Sequence, residues 1–294
     1  MSVVRIKRIF RITFCLLLSV LVPGAAAFAQ EVEQQETQQE AQQASQAVVG
    51  GEEGDLAKQS QNPVGDLISL PFQSNNFFNI GDNDRTRSLL NIQPVIPVQV
   101  GSINIINRII VPLVSQPDLA EESGGTFGTG DTTYTAFFTP ASPGKLIWGV
   151  GPVVLMPTAS DDRLGGGKWG LGPSIVALTM RGPWVIGAIV SQIWSVGGDE
   201  DRADISSFLA QYFINYNLSD GWFLTTAPII TANWKAADEN TWLVPFGGGF
   251  GKVFSVGSQP LNFNTQLFYN AVRPDTVPSA NIEWRVQLSF LFPK

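Results

Sequence analysis

The sequence predicts an all-β fold, a 12-stranded antiparallel transmembrane β-barrel with short periplasmic turns and longer extracellular loops. Three observations predict it. The chain carries strand-like runs of unusual length, the connections between them alternate between short and long, and the eight tryptophans fall near the run ends. No stretch reaches the roughly 18 consecutive apolar residues that a membrane helix needs.

The first element is a targeting segment. The chain opens MSVVRIKRIFRITFCLLLSVLVPGAAAFAQ, with cations at Arg5, Lys7, Arg8 and Arg11, an apolar stretch from Ile12 to Val22, and small residues ending in Ala27-Phe28-Ala29. This is the pattern of a secretory signal over residues 1–29, cleaved before Gln30. Four of the 18 cations lie within it, so the remaining 14 face 25 acids and the net charge falls near −11. Such a charge makes nucleic acid an unfavourable partner.

Residues 30–63 follow as a Gln/Glu-rich leader, EVEQQETQQEAQQASQAVVGGEEGDLAKQSQN and its flanks, with few large apolar side chains. Such a segment buries too little surface to offset its ordering entropy, so a disordered or partly helical periplasmic leader is expected. After Pro63 the texture changes to β-branched and aromatic runs bounded by Gly, Pro, Asn, Asp and Ser. The runs cover 66–79, 89–100, 103–114, 131–139, 145–157, 168–181, 183–195, 204–217, 221–234, 241–254, 259–273 and 280–292. Ordinary globular strands have about five or six residues.

The joints at Gly101-Ser102, Thr139 to Gly144, Arg181 to Pro183, Ser219-Asp220 and Ser255 to Ser258 are short. Those at Gly81 to Ser88, Ser115 to Gly130, Ser160 to Gly167, Gly197 to Ala203, Lys235 to Asn240 and Pro274 to Ser279 are longer or more acidic. An even strand number with both ends on the short-turn side is the organisation of a membrane barrel of residues 64–294.

One run also measures a distance. In PWVIGAIVSQIWSV, the ten steps from Trp184 to Trp194 would rise only about 15 Å as a helix, half a hydrocarbon core. As a strand they rise roughly 33 Å, which at a ~40° tilt projects to about 25 Å, the height of a barrel's apolar band. With the first strand running outward, Trp148, Trp184 and Trp222 sit at periplasmic ends, and Trp169, Trp194, Trp234, Trp242 and Trp284 at extracellular ones. Tryptophan favours the headgroup level, so the eight form a candidate aromatic belt.

Alternation along the strands separates a lipid face from a wet face. In the last run Ile282, Trp284, Val286, Leu288, Phe290 and Phe292 share one face, opposite Glu283, Arg285, Gln287 and Ser289. In the preceding run Leu261, Phe263, Leu267 and Tyr269 oppose Asn262, Asn264, Gln266 and Asn270. The strands from Lys145 to Ser195 are apolar or glycine on both faces, so the interior there must be packed, narrow or covered. Prolines inside runs, at Pro94, Pro97, Pro112, Pro152, Pro173, Pro228 and Pro245, need bulges, strand ends or unpaired carbonyls. The stretch FGGGFGK, Phe246 to Lys252, implies a bend or a close approach inside the barrel.

The chemistry the chain can support is narrow. There is no histidine, and the single cysteine, Cys15, lies in the signal segment. Ser-His-Asp and Cys-His machinery and thiolate metal sites are therefore absent, and no enzyme activity, metal or cofactor is expected. Acids cluster at Asp82 and Asp84, Glu121 and Glu122, Asp161 and Asp162, and Asp199 to Asp204, without EF-hand spacing. They suit solvated loops, or contact with lipopolysaccharide through bridging cations. The candidate lumen-lining residues are Arg108, Asn262, Asn264, Gln266, Glu283 and Arg285. Glu283 and Arg285, two apart on one face, either set ion preference in a pore or form a structural ion pair.

The stretches NPVGDLISLPFQSNNFFNIG, LNIQPVIPVQVG, IWGVGPVVLMPTASDDRLGGGKWGLGP, APIITANW and VQLSFLFPK resemble a family of bacterial outer-membrane barrels filed as transporters. Members sometimes carry the misleading label neuromedin U and are near the barrels named for the MetA pathway of phenol degradation. The resemblance covers about Asn62 to Lys294 and implies an outer-membrane channel for small, hydrophobic or aromatic solutes. The expected partners are outer-membrane lipid and lipopolysaccharide, the outer-membrane assembly machinery and a small solute. Where such barrels commonly end in phenylalanine, this chain continues Phe292-Pro293-Lys294. The competing expectation is a non-conducting structural barrel whose acidic loops or leader bind a partner.

Overall fold

The computed structural model describes residues 51, 53–121 and 123–293; the signal segment and the leader up to residue 50 lie outside the described residues. The wall comprises β1 (Ile68–Ile80), β2 (Arg85–Ile92), β3 (Val95–Val100), β4 (Ile103–Pro117), β5 (Gly125–Thr129), β6 (Thr132–Pro140), β7 (Ile147–Met156) and β8 (Lys168–Arg181). It continues with β9 (Trp184–Gly198), β10 (Ser206–Asn217), β11 (Trp222–Thr226), β12 (Ile229–Asn233), β13 (Trp242–Val256), β14 (Gln259–Val272) and β15 (Ile282–Phe292). These 15 segments make 12 wall strands, because β2 with β3, β5 with β6, and β11 with β12 are each one strand interrupted.

All neighbours pair antiparallel, and the ring closes where β1 meets β15 over Ile68↔Phe292 to Phe78↔Ile282. The expected 12-stranded barrel is thus present, with a closed seam that leaves neither first nor last strand as an open edge.

Two boundaries differ from expectation. The third wall strand runs on to Pro117, and β5 pairs it from Pro117↔Gly125 to Leu113↔Thr129. The long loop expected between Ser115 and Gly130 therefore shrinks to residues 118–124. The run GTFGT reads as a loop because of its glycines, yet Gly128 is where a Cβ would strike Ser160 Oγ at 2.0 Å. The glycine admits the neighbouring loop rather than ending the strand. The connection at 81–84 is likewise a tight turn, since β2 begins at Arg85.

The prolines sit where the ladder lacks a bond to lose. Pro94 and Pro228 occupy the interruptions between β2 and β3 and between β11 and β12. Pro245 lies at a register shift against β14. Pro152 stands directly opposite Pro173, so two missing donors share one position of the ladder. Pro97 is on a segment whose pairing with β1 is confined to Ser69↔Val95. The carbonyl of Pro112 accepts the N–H of Gly130 at 2.9 Å, beside the interruption between β5 and β6.

Side chains divide by parity into outside and inside, as strand pleating requires. Outward positions are apolar and exposed, among them Ile175, Ile186, Val190, Leu224, Phe250 and Leu267. All eight tryptophans are also exposed on the outer face. Trp148, Trp184 and Trp222 are at strand ends on the short-turn side, while Trp169, Trp194, Trp234, Trp242 and Trp284 are toward the long-loop side. Several pack as aromatic pairs, including Trp234 with Trp242 at 5.3 Å and Trp184 with Tyr216 at 4.7 Å.

The interior has two unlike halves. Ile106, Phe137, Ile147, Val176, Leu178, Val185, Ile189 and Phe213 form an apolar cluster on the β4 to β10 side. Val64 packs against it, and a Cβ on Gly149 would meet Val176, Val64 and Phe137 at 3.2 to 3.4 Å. This half is packed, as the apolar inward faces demand. The other half, built by β1, β13, β14 and β15, is polar.

Candidate functional site

The polar half follows from alternation plus register. On β14, Asn262, Asn264, Gln266, Phe268 and Asn270 point inward and are buried, while Leu267 and Tyr269 point out. On β15, Glu283, Arg285 and Ser289 do the same beside outward Trp284. Pairing places Asn75 on β1 beside Arg285, and Arg285 beside Gln266, so three polar side chains share one level of the barrel. Gln73, Gln287 and Asn264 form the next level down.

Arg285 is the hub. It is 2% exposed, and its Nη2 donates to Glu283 Oε1 at 2.8 Å. Its Nε donates to Asn75 Oδ1 at 2.9 Å and its Nη1 to the Ala227 carbonyl at 2.7 Å. The guanidinium also lies 4.9 Å from the Phe268 ring centroid, within cation–π range. Of the two readings the sequence left open for Glu283 and Arg285, the geometry is that of a buried structural ion pair, with its donors largely used.

Ala227 is the counterpart. It precedes Pro228 at the interruption between β11 and β12, so its peptide groups are released from the wall ladder. Its N–H donates to Gln266 Oε1 at 2.9 Å, and its carbonyl accepts from Gln211 Nε2 at 3.2 Å as well as from Arg285. The broken strand is stitched inward by side chains from across the interior. Phe223 lies over Gly251, where a Cβ would come within 2.2 Å of the ring. The close approach expected from FGGGFGK is made by this ring.

Arg108 stands apart from this network. It is half-buried on β4, and its Nη2 donates to Gln93 Oε1 at 2.8 Å. Gln93 is in turn held by its own N–H to the Pro71 carbonyl at 2.9 Å.

The short-turn end is closed by the segment before β1. Residues 53–60, part of the stretch read as leader, are helical. Ala57 of this helix is fully buried against Leu67, Phe223, Val253 and Leu291. Ser60 Oγ accepts from Asn262 Nδ2 at 2.8 Å, and Gln61 exchanges two hydrogen bonds with Asn217, at 2.9 and 3.0 Å. Above this seal lies a cavity of about 190 Å³, reached by Arg108, Arg285, Gln73, Gln211 and Gln266.

The six residues expected to line the lumen are therefore all inside the barrel. Asn262 serves the helical seal; Asn264, Gln266, Glu283 and Arg285 form one network with Asn75 and Ala227; Arg108 joins Gln93 instead. Sequence reasoning missed Gln73, Asn75 and Gln93. The odd-numbered polar parity of PFQSNNF carried the first two, but the partners of Ala227 had no sequence signal.

No family model matches the chain, and no curated protein matches it in sequence. Among solved structures it is similar to outer membrane phospholipase A from Escherichia coli, at TM-score 0.41 and 13% identity over 81% of this chain and 98% of that one. The expectation that the chain is not an enzyme is withdrawn, since lack of histidine removes only histidine-dependent chemistry. A stronger likeness is to the COG4313 outer membrane channel from Pseudomonas putida F1, at TM-score 0.61 and 19% identity over 79% of this chain and 97% of that one. The chain thus has the fold of an outer-membrane β-barrel, shared across nearly the whole length of that channel.

Proposed function

We propose that the protein is an outer-membrane channel for small, hydrophobic or aromatic solutes, held shut at its periplasmic end by the helix at 53–60. The observation that carries this reading is the pairing of an apolar, tryptophan-bounded exterior with an interior whose polar half and apolar half meet at a cavity. An exterior of that kind suits lipid, and an interior that keeps buried polar side chains beside a cavity suits passage. The tryptophans serve as the belt at both membrane surfaces. Insertion depends on the outer-membrane assembly machinery, and the acidic outer loops contact lipopolysaccharide through bridging cations.

The test is planar-bilayer recording and liposome uptake with the chain from Gln30 onward and with a form lacking residues 30–62. Conductance that rises on removal supports a channel with a seal. A correctly folded barrel that conducts in neither form, and admits no solute, would sink the proposal.

A second reading is favoured by the seal itself. Ala57, Ser60 and Gln61 are bound to the barrel by packing and by hydrogen bonds, the arrangement expected of a closed, structural barrel. Unchanged zero conductance after removal of the seal would favour that reading.

A further inference from the structure

Arg108 is a lumen cation without a charge partner. Its hydrogen bond goes to the neutral amide of Gln93, and among the described residues no carboxylate pairs with it. A guanidinium carries five N–H donors, so most of its capacity is open to the cavity it borders. Charges inside a membrane protein are costly and mark ligand paths unless they are paired. Arg285 differs in this respect, because Glu283 neutralises it and Asn75 and Ala227 take its other donors.

The cavity around Arg108 is chemically two-sided. Ile189 and Phe213, both buried members of the apolar cluster, border it together with Val95, which packs on that cluster. A volume of about 190 Å³ holds a solute on the order of ten heavy atoms. Among the described residues that border this cavity, Arg108 is the cation without a carboxylate, which sets the ligand charge there at one; Arg87, whose Nε is also buried, does not border it. A planar fork matches a carboxylate in two parallel hydrogen bonds.

We infer that Arg108 and Gln93 form a binding site for the carboxylate of a small amphipathic monoanion, whose apolar body rests on Ile189 and Phe213. The inference rests on the channel reading and narrows its solutes to organic carboxylates over neutral hydrophobes.

The test uses benzoate and its uncharged analogue benzyl alcohol, titrated calorimetrically into detergent-folded protein whose folding is checked by heat-modifiable gel migration. Benzoate should bind at least about tenfold more tightly than benzyl alcohol, as a charge-assisted bond supplies. Arg108→Gln should abolish that preference, Arg108→Lys should keep part of it, and Arg181→Gln, at the exposed last residue of β8, should leave it intact. Equal binding of the two probes, no benzoate binding to folded native protein, or an unchanged preference in Arg108→Gln overturns the inference. Binding is read without conduction, so a barrel that binds benzoate but passes no current would overturn the channel reading alone, and one that conducts without the preference would overturn the site alone.

Discussion

Arg285 on the last wall strand donates to the carbonyl of Ala227 at 2.7 Å, so the strand that closes the barrel also holds the place where β11 and β12 part. The same arginine carries an ion pair to Glu283, and both partners are buried. The interior is therefore a mechanical tie as well as a lining.

Arg285→Met should destabilise the barrel by about 3–5 kcal/mol, because it leaves Glu283 as an uncompensated buried charge. Adding Glu283→Gln should recover much of that loss. Urea unfolding in detergent, followed by tryptophan fluorescence, measures both; a single variant as stable as the native protein would contradict the network described.

Ala57→Glu places a carboxylate among Leu67, Phe223, Val253 and Leu291, where it has no partner. Burying it costs several kcal/mol, on the order of what holds the short helix in place, so the seal should release while the wall stays folded. Single-channel conductance should rise, with unchanged heat-modifiable migration.

Gly251→Leu should cost more than Gly251→Ala, since any Cβ there meets the Phe223 ring. Overpacking of this kind costs about 1–3 kcal/mol, and larger side chains displace the ring from Val253. The readout is the midpoint of urea unfolding for the two variants. A double variant with Phe223→Ala should regain only part of the Leu penalty, because a Cβ at 251 also lies 2.6 Å from the Phe263 carbonyl.

Asp131, between β5 and β6, accepts the N–H of Gly166 at 2.6 Å and that of Ala159 at 3.2 Å, and so pins both ends of the outer loop at 157–167. Asp131→Ala should free that loop, and limited proteolysis within it should speed up by roughly tenfold, the equivalent of one charge-assisted bond. Cleavage elsewhere should not change.

The barrel was legible because its information is periodic. On β15 the sequence alternates Glu283, Arg285, Gln287 and Ser289 with Trp284, Val286, Leu288 and Phe290, and the structure keeps that parity without a slip. The strand β5 was hidden because Gly125 and Gly128 serve its neighbours, not its own propensity. The docking of the helix at 53–60, in a leader expected to be disordered or partly helical, was hidden for a different reason: its apolar content is little more than Leu56 and Ala57, and their burial is set by Phe223, Val253 and Leu291, which lie far along the chain. Within the site, side-chain direction followed from parity. Partner choice did not, because Ala227 is a ligand through its backbone, freed by the proline that follows it.

The seam between β1 and β15 also fixes an order of events. The bond from Arg285 to Asn75 joins residues 210 apart in sequence, and that from Asn262 to Ser60 joins residues 202 apart. Contacts of such separation bear the full loop-closure entropy before they contribute anything, so they form late. Phe223, Val253 and Leu291 surround Ala57 only once the ring is complete. Docking of the segment at 53–60 therefore waits on Leu291, so one of the earliest parts of the wall-bearing chain to be synthesised has its full set of partners only when the last strand is in place.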